Sequence, residues 1–213
     1  MTVAPLLAAS SVAMVLTHWL RLAPLGYAAP GSTRWEDYVD LATPYAVTGP
    51  ALVVLARTGA ARRLWLAALV GAGLFVQGHG LHLSSNSISF ASGPQAPAYL
   101  WDEQVGHHLW FAGLTVLLVA VVQAVRPVPL RAGPVAVGLA LLVGITWAAN
   151  VVEAGAVPFG AALTVGLAAY GWRLRRQGTG QLLLLAFGLS LALTAAYGVW
   201  QGGYPQPSEL GWL

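Results

Sequence analysis

Cysteine is absent from the 213 residues, and so is lysine, because all ten basic residues are arginine. The first absence excludes disulfides, thiolate metal ligands, iron–sulfur clusters and a cysteine nucleophile. The second excludes a retinal Schiff base and lysine-based covalent catalysis. Charge is scarce as well: 8% of the residues are charged and 57% are hydrophobic, where an ordinary soluble domain carries roughly 25% charged residues. A water-facing surface cannot be built from so few. The basic pI of about 9.6 does not point to nucleic acid, since the arginines fall in short clusters between apolar runs and not along one basic face.

The chain does contain apolar runs of membrane length. Hydropathy predicts an all-α membrane protein with about seven transmembrane helices in a single bundle. The spans are near 3–21, 38–57, 61–83, 98–125, 132–153, 155–174 and 180–202. Spans of this length use up most of the chain, so residues 1–213 are expected to form one polytopic membrane domain. Gly59, Pro127 with Pro129, Pro158, and Gly178 with Gly180 punctuate the runs. The first run, Val3 to Trp19, lacks a basic flank before it, and an A-x-A-like stretch follows at Tyr27-Ala28-Ala29; we read it as a retained helix.

Arg57, Arg62, Arg63, Arg126, Arg131, Arg173, Arg175 and Arg176 occupy the loops after spans 2, 4 and 6, leaving Arg21 and Arg34 on the opposite side. The positive-inside bias then puts the N-terminus in the cytoplasm and the C-terminus outside, in the cytoplasmic (inner) membrane if the cell is bacterial. Glu36, Asp37 and Asp40 follow Arg34 and read as a solvated loop and helix start, where carboxylates suit the helix dipole.

Polar groups gather at the outer ends of the spans. Span 3 closes with Gly78-His79-Gly80-Leu81-His82 and Asn86, so the two histidines and the asparagine share a helix face. Span 4 opens with Trp101-Asp102-Glu103-Gln104-Val105-Gly106-His107-His108, in which Glu103 and His107 share a face, while Asp102 and His108 point elsewhere on an α-helix. Counting from Arg62, His79 and His82 lie roughly 25 and 30 Å up, the level at which Glu103 and His107 begin span 4. His18, Asn150, Glu153, Tyr197 and Gln201 reach that level from other spans.

Each ionisable group in a bilayer costs about 2.5 to 3.5 kcal/mol on insertion scales, so several together call for a compensating partner. A divalent metal ion supplies it, zinc by preference, with iron, manganese and nickel also suited to imidazole and carboxylate ligands. The expected ligands are His79, His82, His107 and Glu103. Asp102, Asn86 and Glu153 are expected to orient them or to move protons, Glu103 or Glu153 acting as general base and Asn86 or Asn150 steadying an oxyanion. His18 and His108 read as interfacial anchors, and the interfacial tryptophans and tyrosines as an aromatic belt. The serines from Ser84 to Ser89 lack a nucleophile elbow and satisfy helix-end carbonyls, while the stretch from Ser84 to Pro97 is long enough to form a lid.

In kind, this arrangement of histidines and carboxylates inside a bundle resembles the seven-helix membrane metallohydrolases that include alkaline ceramidases and the adiponectin and progestin receptor group. Those families pair a serine and an aspartate on early helices with an H-x-x-x-H motif on the last, and span 7 here contains no histidine. The resemblance therefore implies only a type of chemistry: zinc held by histidines such as His79, His82 and His107, near Asp102, inside the bundle.

The expected function is a membrane-embedded metalloenzyme that hydrolyses a lipid or other apolar substrate at the outer face, with membrane lipids as its surroundings and no nucleic-acid partner. A haem or non-haem iron redox protein is one alternative. A metal-ion or small-solute transporter is another; it is less favoured because Gln77, Gln123 and Thr146 are the few polar steps deeper in and no repeat divides the chain in two.

Overall fold

The computed structural model describes residues 3–20, 25–26, 33–93 and 96–212. Arg21 and the Tyr27-Ala28-Ala29 stretch lie outside the described residues. Among those described, the chain is all-helical. The helices are α1 (Ala4–Leu20), α2 (Trp35–Asp40), α3 (Thr43–Arg57), α4 (Arg62–Ser92), α5 (Ala96–Tyr99), a π-helical segment (Leu100–Gly106), α6 (His107–Val125), α7 (Pro134–Glu153), α8 (Val157–Arg173) and α9 (Gly178–Gln201).

Five stretches are long and apolar enough to cross a membrane: Trp35–Arg57, Arg62–Ser89, Ala96–Val125, Pro134–Glu153 and Gly178–Gln201. Their length and composition are those of an integral membrane protein, and Val199, Val135, Tyr45 and Val70 on them, like Leu16 on α1, are exposed apolar side chains of the kind that faces lipid. The helices α1 and α8 are shorter, at 17 residues each, and pack into the same bundle.

The tightest packing is between α4 and α6, and glycine makes it possible. A β-carbon at Gly78 would stand 2.4 Å from the Trp110 amide nitrogen and 2.6 Å from the Gly106 carbonyl oxygen. One at Gly71 would meet the Leu117 nitrogen at 2.6 Å, and one at Gly113 the Phe75 nitrogen at 2.3 Å. The two backbones therefore touch over Gly71, Gly78, Gly106 and Gly113, as small residues allow in helix pairs within lipid. Gly106 immediately precedes His107, and its absent β-carbon would lie 3.2 Å from the His82 amide nitrogen, so the contact that joins the helices also sets His82 and His107 opposite one another.

Below the histidines, Phe75, Trp110, Phe111, Trp147 and Phe187 pack edge-to-face, with ring centroids 5.6 Å apart for Phe75 and Trp110 and 5.3 Å for Trp147 and Phe187. The Trp147 indole donates to Thr164 Oγ1 at 2.8 Å, so the one polar atom of that buried ring is satisfied.

Three expectations about local structure change. The stretch from Ser84 to Pro97 is not a lid: α4 continues to Ser92, with Ser84 Oγ donating to the Gly80 carbonyl and Ser92 Oγ to that of Ile88. Hydroxyls that bond back one turn lie along a helix without ending it. Glu36, Asp37 and Asp40 are not a solvated loop but are buried at 6%, 4% and 7% exposure. Arg34 holds Asp37 at 2.7 Å and Glu36 at 3.8 Å, and Asp40 turns inward. The start of span 4 is π-helical and not α-helical, with consequences for the site.

Candidate metal centre

Hydrogen bonds in a π-helix run from residue i to i+5, one residue wider than in an α-helix, and such turns recur at functional sites. In Leu100–Gly106 this widening brings Asp102, five residues before His107, onto the face that an α-helix reserves for Glu103. His107 Nδ1 accordingly lies 3.8 Å from Asp102 Oδ1 and 3.5 Å from Glu103 Oε2. Asp102 does not point elsewhere; it stands between the helices. Across the glycine contact, His82 Nδ1 donates to the same Asp102 oxygen at 2.5 Å, and the His82 and His107 rings are 4.6 Å apart.

His82, Asp102 and His107 thus each offer a ligand atom within 4.8 Å of the others. Nitrogen and oxygen donors of this kind suit zinc and the divalent first-row metals. Four-coordinate zinc, with bonds of about 2.0 to 2.1 Å, sets its ligand atoms about 3.3 Å apart. The His82–Asp102 and His107–Asp102 distances of 2.5 and 3.8 Å lie on either side of that separation.

Other polar groups hold these three. Asn86, one turn beyond His82, donates to His82 Nε2 at 3.2 Å. Gln206, in the tail after α9, donates to Glu103 Oε2 and to the Glu153 carbonyl, both at 3.0 Å. Its close approach depends on Gly155, which has φ +58° and whose absent β-carbon would lie 2.7 Å from Gln206 Nε2. Tyr197 pins the tail through a 2.7 Å bond to the Pro205 carbonyl. Among the described residues no guanidinium pairs with Asp40, Asp102 or Glu103. The partners of Asp40, Asp102 and Glu103 are imidazoles, hydroxyls and amides.

Comparisons with protein-family models, with curated proteins and with solved structures find no match. The chemistry has to be read from the geometry.

His79 stands apart from the triad, its ring 6.3 Å from that of His82. Its Nε2–H donates to the Asp40 carbonyl at 2.9 Å, with Asp40 Oδ1 at 3.4 Å, while Nδ1 is buried and without a partner among the described residues. Glu153 lies 3.8 Å from His18 Nε2, and Asn150 donates to His18 Nδ1 at 3.1 Å. His108 faces away, bonded to the Gln104 carbonyl and packed on Phe159.

His18, His79, His82 and His107 all line one cavity of about 40 Å³, with Asp40 and Asn150, which is room for a few waters. Sequence reading missed Asp40, His18 and Gln206 as parts of this centre. Asp40 carried a signal, since it sits inside an apolar stretch that begins at Trp35. Gln206 carried none, because only the folding back of the tail brings it to Glu103.

Proposed function

We propose that this chain is a membrane-embedded metal-dependent enzyme, a hydrolase of lipid or other apolar substrates, whose divalent ion is held by His82, Asp102 and His107. The observation that carries this reading is the convergence of those three ligand atoms within 4.8 Å, from two helices locked together by glycine contacts. Zinc fits the donor set best and iron second. When bound, such an ion supplies Lewis acidity and makes water nucleophilic near neutral pH.

The chain's own residues supply the rest. Glu103, held by Gln206 and next to His107, accepts the proton from the attacking water and returns it to the leaving group. Asn86 fixes the ring of His82, while Asn150 and Glu153 do the same for His18. His79 offers its free Nδ1 to water in the cavity. Phe75 and Trp110 wall the cavity on the side of α4 and α6.

In this reading α1 and α8 also cross the bilayer. A helix of 17 residues is about 26 Å long, near the hydrocarbon thickness, and two further spans give the seven that the arginine loops require. The N-terminus is then cytoplasmic and the histidine cavity faces outside.

Elemental analysis and an absorption spectrum of the purified protein test the proposal. A colourless protein retaining about one zinc per chain, held more weakly in His107→Ala, is expected. A Soret band would replace it with a haem protein, and a wild-type protein that holds no metal after supplementation would end it.

A further inference from the structure

Three cavities lie end to end along α1. Away from the histidines, a groove of about 650 Å³ opens between α1 and α7 beside exposed Ala4, Pro5 and Val135. It runs into an internal cavity of about 130 Å³, with Leu7, Ser11, Leu118 and Val121 among the residues that line both. That cavity in turn meets the histidine cavity at Met14, which lines both of them. From Ala4 to His18 the path is about 21 Å long at the rise of an α-helix.

Polarity changes once along this path. The groove and the inner cavity are walled almost entirely by aliphatic and aromatic side chains. The Ser10 hydroxyl is already spent on the Val47 carbonyl at 2.9 Å. A polar ligand would lose its hydration there and gain nothing in exchange. Beyond Met14 the lining brings in four imidazoles, the Asp40 carboxylate and the Asn150 amide, beside Phe75, Trp110 and two threonines. The narrowing from about 650 to about 130 Å³ admits one chain where the groove has room for more.

We infer that the three cavities form one binding site for a single-chain amphiphile, its hydrocarbon tail in the α1–α7 groove and inner cavity and its polar group among the histidines. This rests on the hydrolase reading only in making that polar group the substrate linkage; binding of the chain itself needs no metal.

Photolabelling of the full-length protein in detergent tests this, with a palmitoyl amide carrying a diazirine at mid-chain as the probe. Saturable labelling is expected on the peptides around Leu7 to Met14 and Leu117 to Val121, suppressed by excess unlabelled palmitamide. Ser11→Phe, which fills the junction of groove and inner cavity, should weaken saturable labelling about tenfold, equivalent to about 1.4 kcal/mol, while Ser11→Ala keeps it. Stripping the metal from the wild-type protein with a chelator should leave the labelling in place, which separates failure of this inference from failure of the metal reading. Labelling that does not saturate, or that falls on lipid-facing residues of α9 such as Val199, would overturn the inference. The wild-type map decides alone if Ser11→Phe does not fold.

Discussion

Asp102 is the residue on which the two histidines depend. Its Oδ1 accepts from His82 at 2.5 Å and lies 3.8 Å from His107 Nδ1, so one carboxylate oxygen serves both imidazoles. Asp102→Asn keeps the size and can still accept from His82, but it removes the charge that a cation needs. Metal affinity should fall by about 10- to 100-fold, as read by competition with a chromophoric chelator, and an unchanged affinity would exclude Asp102 from the ligand set. The types of these residues were legible in the sequence: His79, His82, Glu103 and His107 are found close together at one end of the bundle. Their partners were not. His79 looks as good a ligand as His82 on spacing alone, and only the carbonyl and carboxylate of Asp40, brought over by α2, turn its ring away from the triad.

Two elements position the site, the glycine-lined contact of α4 with α6 and the π-helical start of span 4. Glycine on a helix face costs about 0.5 to 1 kcal/mol relative to alanine, so its placement at four successive backbone contacts reflects the need for close approach. Gly78→Ala should separate α4 from α6, destabilise the protein by about 1 to 3 kcal/mol and abolish tight metal binding. Gly73→Ala, where a β-carbon meets nothing within 4 Å, should leave both unchanged or add slight stability. Thermal unfolding and metal titration of the pair check this, and equal behaviour of the two variants would contradict it. Helix boundaries were readable from hydropathy to within a few residues for most helices, α4 excepted. The π-helical segment was not, because no side-chain pattern in Leu100–Gly106 distinguishes five-residue from four-residue hydrogen bonding, and Asp102 changes face as a result. The serines after His82 misled for a related reason: they favour helix ends by propensity, yet here they bond back within α4.

For the molecule as a whole, the native absence of cysteine makes topology directly measurable. Single cysteines at Gly59, Gly133 and Ser208 add no background, and a membrane-impermeant maleimide on intact cells should label Ser208→Cys alone, the other two reacting only after lysis. Labelling of Gly59→Cys in intact cells would reverse the orientation that the arginine loops predict. Metal retention should also depend on pH with a definite sign. Imidazole ligands bind only when deprotonated, so the ion is held near about pH 8 and released as protons displace it towards about pH 5. Dialysis across that range followed by elemental analysis measures it, and retention that rises on acidification would contradict it. The central claim is that one ion sits between α4 and α6 on two imidazoles and a carboxylate, and X-ray absorption at the zinc edge of the loaded protein tests it most directly. The prediction is a first shell of nitrogen and oxygen at about 2.0 to 2.1 Å with imidazole scattering from two histidines, reduced to one in His107→Ala. A shell of oxygen alone, or imidazole scattering unaffected by the loss of His107, would contradict it.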